Sequence, residues 1–190
     1  MACWRTLLAD IQRIQREIMW LAPHRDIGLE PNPPAALTAV AAAEARIGRA
    51  LPTSYREFLL EHDGWPRFFE GATLLGTANI GRRLYDDLVH AAFEAAETPV
   101  LDLGPVAVRP SPRRILIPFG VDLQATTLFA FNPTVVGPDG EFEVIAWVNE
   151  IGVRRDSFES FLELLLELCQ TELESRIEDQ QPARSAEAAR

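Results

Sequence analysis

The spacing of apolar residues changes twice along this chain, and that change limits what it can fold into. Up to about residue 65, large apolar side chains recur every three or four positions. Between 113 and 149 they alternate, and beyond Asp156 the helical spacing returns. A stripe of period 3.6 buries one side of a helix, a stripe of period two buries one side of a strand, and neither serves for the other. Helices first, a run of strands, then a closing helix is the order of an α+β domain, with helices packed on one mainly antiparallel sheet.

Residues 4–21 carry Trp4, Leu7, Ile11, Ile14, Ile18 and Leu21, which predicts an amphipathic N-terminal helix. It is too short for a free coiled coil, so it should pack on its own domain, with a homodimer as the alternative. The proline-rich "PHRDIGLEPNPP" (23–34) breaks it. A second helix is expected over 35–47, stopped by Gly48. In "LPTSYREFLLEHDGW" (51–65), Pro52 suits a first turn and Ser54 with Glu57 has the form of a capping box. Tyr55, Phe58, Leu59 and His62 share a face, and Gly64 ends the run.

After that helix, "GATLLGTANI" (71–80) is expected as the first strand and residues 82–97 as a surface helix. Strands follow at 113–118, 125–132 and 141–149, and the Pro-Asp-Gly turn joins the last two as an antiparallel hairpin. Asp156 is expected to cap a closing helix with Phe158, Phe161, Leu162, Leu165, Leu168 and Cys169 inward. The end of the chain lacks apolar residues after Ile177 and is expected to be disordered.

Composition narrows function by exclusion. All 18 basic residues are arginine, so phosphate-loop and Schiff-base lysines are absent. A net charge of -10 disfavours direct nucleic-acid binding and suits a basic protein partner. Cys3 and Cys169 have no metal or CxxC spacing and read as thiols of a reducing compartment. No signal-peptide shape or membrane-length apolar run is visible, so a cytoplasmic location without membrane contact is the expectation.

The run "AAAEARIGRALPTSYREFLLEHDGW", followed by "GATLLGT", "ILIPFGVDLQATTLFAFNP", "VIAWVNE" and "SFESFLELLLE", resembles the SUKH superfamily. Its members include Smi/Knr-type cell-wall assembly regulators and bacterial immunity proteins. The most specific match lies at Glu44, Ile47, Gly48, Leu51, Pro52, Ser54, Tyr55, Phe58 and Leu59. The resemblance implies a SUKH-like domain over 35–176, preceded by the N-terminal helix and its connection (1–34) and followed by a disordered tail (177–190). It also implies binding without catalysis: an immunity protein that neutralises a cognate toxin, often a nuclease, or a regulatory adaptor of the same fold. Residues 84–114 depart from the family pattern and suggest an inserted helix and loop.

Glu61, His62 and Asp63 invite an acid–base reading, but adjacent helical residues point about 100° apart and do not converge on one atom. His24 and His90 lack metal-ligand spacing, and the glycines of 71–81 do not form a nucleotide loop, so no metal or cofactor is expected. The partner-binding candidates are therefore acidic: Asp86 and Asp87 in the departing section, and Asp139, Glu141 and Glu143 along the hairpin. Trp65 is read first as a core anchor and otherwise as an exposed binding aromatic.

Overall fold

The computed structural model describes residues 3–95, 116–124, 126–148 and 151–187. Three helices come first: α1 (Trp4–Leu21), α2 (Leu37–Ile47) and α3 (Thr53–Glu61). Strands β1 (Trp65–Phe69) and β2 (Ala72–Leu74) precede α4 (Arg83–Ala95). Strands β3 (Ile117–Val121), β4 (Thr127–Val136), β5 (Phe142–Val148) and β6 (Ile151–Arg155) lead into α5 (Phe158–Glu187). The six strands form one sheet in chain order, every neighbouring pair antiparallel. The α+β architecture and the β4–β5 hairpin are as the period predicts.

The apolar stripe of α1 is buried throughout, from Trp4 to Ile18. It packs against α5 of its own chain. The two helices run in the same direction. The Trp4 N–H donates to the Glu159 carboxylate at the start of α5, while Arg25, just beyond α1, pairs with Glu172 further along. Gly48 closes α2 at φ 71°, a left-handed conformation that glycine takes without a Cβ penalty.

The core is aromatic because α3 and α5 lie on the phenylalanine-bearing face of the sheet. Tyr55 of α3 sits 5.1–5.3 Å, ring to ring, from Phe119, Phe131 and Phe158, and Phe129 meets Phe161 at 4.7 Å. Such pairs add about 0.5–1.5 kcal/mol each beyond their area. The Tyr55 hydroxyl donates to the Leu75 carbonyl at 2.8 Å, which ties α3 to the end of β2. The opposite face is covered too. Leu128, Ala130 and Ile145 are buried, and α4 packs against β3. The alternation read as half-buried strands is thus a central hairpin buried on both sides.

Several expectations need correction. Residues 65–69, for which the sequence suggests only an anchor at Trp65, form β1, whose alternation is hidden by a bulge with Arg67 at φ 51°. The strand expected over 71–80 is short, since only Ala72–Leu74 pair and turns follow. The strand expected at 113–118 begins at Ile117, with 113–115 outside the described residues. β6 was not anticipated, because five residues ending in two arginines carry little apolar period. Residue Ser157, not Asp156, caps α5, its hydroxyl accepting the Ser160 N–H at 3.1 Å. Leu168 is 42% exposed, so the inward stripe of α5 skips it. The backbone of α5 runs past Ile177, through Pro182, to Glu187. The insertion expected over 84–114 is helical through Ala95, and 96–114 lie outside the described residues.

The outer edge of β1 is closed by the connection after α1. The Gly28 N–H donates to the Arg67 carbonyl at 2.8 Å, and the Trp65 indole N–H donates to the Gly28 carbonyl at 2.7 Å. A Cβ on Gly28 would lie 1.9 Å from the Pro66 carbonyl oxygen, so only glycine permits this approach. Covering a strand edge removes a template for unwanted pairing.

Candidate partner-binding surface

The cluster at the end of α3 disperses into three separate contacts. Glu61 accepts from Arg5 of α1 at 2.6 Å. His62 lies 6.0 Å from the Phe58 ring and 6.3 Å from the Trp65 ring. The Asp63 carboxylate accepts the Thr77 N–H and, at 3.0 Å, its hydroxyl. Each side chain thus braces a different neighbour. His24 is exposed, and the His90 side chain lies outside the described residues. Among the described residues no three His, Cys, Asp or Glu side chains are grouped to hold a metal.

The acidic candidates divide by burial. Asp87 is exposed on α4 and pairs with Arg83 at 3.5 Å, and Asp86 is half-buried one residue before it. Asp139 is exposed at the turn of the β4–β5 hairpin. Glu141 is committed elsewhere: its carboxylate accepts the Ser54 N–H at 2.9 Å and the Ser54 hydroxyl at 2.6 Å. The capping box expected between Ser54 and Glu57 is therefore absent: Pro52 holds the N-cap position, and the Ser54 hydroxyl, inside the first turn, is given to Glu141. Glu57 instead accepts the Trp4 indole N–H at 3.2 Å.

Glu143 and Trp65 are not available as surface residues. Glu143 is 6% exposed and accepts from Arg154 at 2.8 Å and from the Asn132 amide at 2.7 Å. Register explains the burial. Asn132 faces Glu143 across the ladder and Arg154 faces Ile145, so the three meet on one face as direct and diagonal neighbours. Trp65 is 2% exposed, with its indole N–H bonded inside the fold, which leaves the core-anchor reading.

Sequence spacing gave no sign of a cavity of about 660 Å³ near the β1–β2 hairpin. Its walls come from four separated places: Arg25 and Asp26 after α1, Arg67 and Glu70 on the hairpin, Tyr85 of α4, and Asp122, Leu123 and Thr126 between β3 and β4. Arg25 bridges Glu70 at 2.6 Å and Glu172 at 3.1 Å, and Arg67 pairs with Asp26 at 3.0 Å. Burial works against the Arg25 charge, but Glu70 and Glu172 outweigh it and raise its pKa. The Asp122 carboxylate accepts the Thr126 N–H at 2.9 Å and the Thr126 hydroxyl, and Leu123 nearby is 86% exposed. No helix among the described residues is long and apolar enough to cross a membrane.

No curated protein matches this sequence. A family model does: that of the SMI1 / KNR4 family (SUKH-1), over residues 34–167. The match begins just before α2 and ends within α5, leaving α1 outside it although α1 completes the same core. With most of its length so matched, the chain belongs to the SMI1 / KNR4 family (SUKH-1).

Proposed function

We propose that this protein is a cytoplasmic immunity protein that binds a cognate toxin and blocks it by contact, without chemistry of its own. The observation that carries the reading is family membership over residues 34–167, in a superfamily whose bacterial members include toxin-neutralising proteins. The net charge of -10 supports a toxin with a basic surface, as a nuclease needs for holding phosphates. Asp86, Asp87 and Asp139 remain candidates for meeting it, while Glu141, Glu143 and Trp65 serve the fold. The dispersal of Glu61, His62 and Asp63 into three bracing contacts favours a binding role over an acid–base one.

Co-expression tests this. The product of a toxin gene adjacent to this one should stop growth alone and lose its effect when this chain is present, with a stable complex on purification. Continued toxicity beside full-length, folded protein would turn the reading towards a regulatory adaptor of the same fold.

A further inference from the structure

We propose that the cavity at the β1–β2 hairpin binds a neutral small molecule carrying several hydroxyl groups, the chemistry of a sugar. The site is separate from toxin recognition and does not depend on it. At about 660 Å³ the cavity lies within the roughly 300–1,000 Å³ of small-ligand sites. Its walls select a ligand through the groups already bonded and those still free.

The charges on the walls are matched among themselves. Arg25 pairs with Glu70 at 2.6 Å and with Glu172 at 3.1 Å, and Arg67 pairs with Asp26 at 3.0 Å. Asp122 is 7% exposed, and its carboxylate accepts the Thr126 N–H and hydroxyl. An anion would have to displace a carboxylate from an arginine, and a cation the reverse. A wholly apolar ligand would strip water from these pairs without replacing its hydrogen bonds. A neutral polar molecule leaves every pair in place.

The pairs keep hydrogen-bonding capacity of both kinds. Among the described residues, the Arg25 guanidinium donates through Nη2 alone and that of Arg67 through Nη1 alone. Glu70 and Asp26 each accept there through one carboxylate oxygen. Spare donors therefore stand beside spare acceptors on the same wall. A hydroxyl donates and accepts at once, so two on neighbouring carbons meet such a pair together. A carbonyl or an ammonium group supplies only half of that match.

Two hydroxyls and an apolar surface complete the site. Thr127 is 1% exposed and Tyr85 is half-buried, and both line the cavity. Neither hydroxyl has a hydrogen-bond partner among the described residues. An unpaired hydroxyl in so buried a residue marks a place where a ligand's hydrogen bond counts nearly in full. Leu75 and Val121, both buried, line the same space, and Tyr85 adds its ring. The C–H side of a sugar ring suits such a surface while its hydroxyls reach the polar walls.

Titration calorimetry of the full-length chain tests this, with glucose, N-acetylglucosamine and myo-inositol as neutral probes and glucuronate and protonated glucosamine as charged ones. The parent is compared with Thr127→Val, Tyr85→Phe and, away from the cavity, Thr38→Val, each first shown to melt as the parent does. At least one neutral probe should bind with a Kd of about 1 mM or tighter, and about tenfold more tightly than either charged probe. Its binding should weaken about tenfold in at least one of Thr127→Val and Tyr85→Phe, and not in Thr38→Val. Parent-like binding by both cavity variants overturns the cavity as the site, and a preference for glucuronate or glucosamine overturns the neutral class. No binding of any probe at about 10 mM overturns the proposal as a whole. The immunity reading is judged separately by the growth test above.

Discussion

Glu141, one residue before β5, holds the first turn of α3 through both the backbone N–H and the hydroxyl of Ser54. An anionic acceptor at a helix N-terminus satisfies an orphan donor and meets the positive end of the helix dipole. Here the cap is supplied from 87 residues away, so it joins the hairpin to the helix as well as ending it. Glu141→Ala and Ser54→Ala should each cost about 1–2 kcal/mol in chemical denaturation, and the double variant should lose less than their sum. Additive losses would mean that the two residues act apart.

Truncating the aromatic core should cost more. Phe58 has no exposed surface and contacts Trp4, Tyr55 and Phe158. Phe58→Ala should lose about 3–5 kcal/mol, read as a lower denaturation midpoint at unchanged slope.

The Glu143–Arg154 pair predicts a contrast within the hairpin. Both side chains are about nine-tenths buried, so removing one leaves a charge without its partner in a poorly solvating place. Arg154→Ala should cost about 3–5 kcal/mol, whereas Asp139→Arg, at an exposed turn, should change stability by less than about 0.5 kcal/mol. Thermal melts of the two variants settle the comparison.

The cysteines predict a selective reaction and a pH window. Cys3 is exposed, whereas burial, with lesser help from Glu172 and Glu70, pushes the Cys169 thiol up to about 12. Iodoacetamide should label Cys3 in the folded protein and reach Cys169 only after unfolding, as peptide mapping would read. Burial, and secondarily Asp63, raises the Tyr55 hydroxyl as well. A raised pKa means that the folded state keeps its proton where the unfolded chain has lost it. The associated stability is complete below pH 9.0, the ordinary thiol value, and declines as pH rises towards about 12. The slope for Cys169 is about 1.4 kcal/mol per pH unit, and Cys169→Ala should flatten it.

Partner association should depend on salt. If acidic residues such as Asp86, Asp87 and Asp139 steer a basic toxin, its on-rate falls as the Debye length shrinks below about 10 Å. Stopped-flow mixing of the purified pair across a salt series measures this. An on-rate indifferent to salt would assign recognition to apolar contact alone.

What the sequence disclosed followed the reach of its signals. The inward face of Tyr55, Phe58 and Leu59 and the pairing of β4 with β5 rest on neighbours a few positions apart, and both were legible. β1 was not, because Pro66 and the bulge at Arg67 interrupt its alternation. Nor was Glu141 as a cap, since Glu57 supplied the expected local motif while the actual acceptor arrives through tertiary folding. Glu143 looked like the outward partner of an alternating strand, but that face is covered. The cavity drew on four distant segments and left no periodic trace.

The parallel seating of α1 on α5 also sets a schedule for synthesis. Trp4 meets Glu159 across 155 residues, so α1 waits for α5 before its stripe can be covered. At ribosomal speeds that wait is on the order of ten seconds, far longer than a helix needs to form. Throughout it, Leu7, Ile11, Ile14 and Ile18 stand uncovered by their final neighbour on the nascent chain. The domain thus closes only once α5 has been made, and a chain stalled before residue 158 would present that stripe to chaperones and proteases.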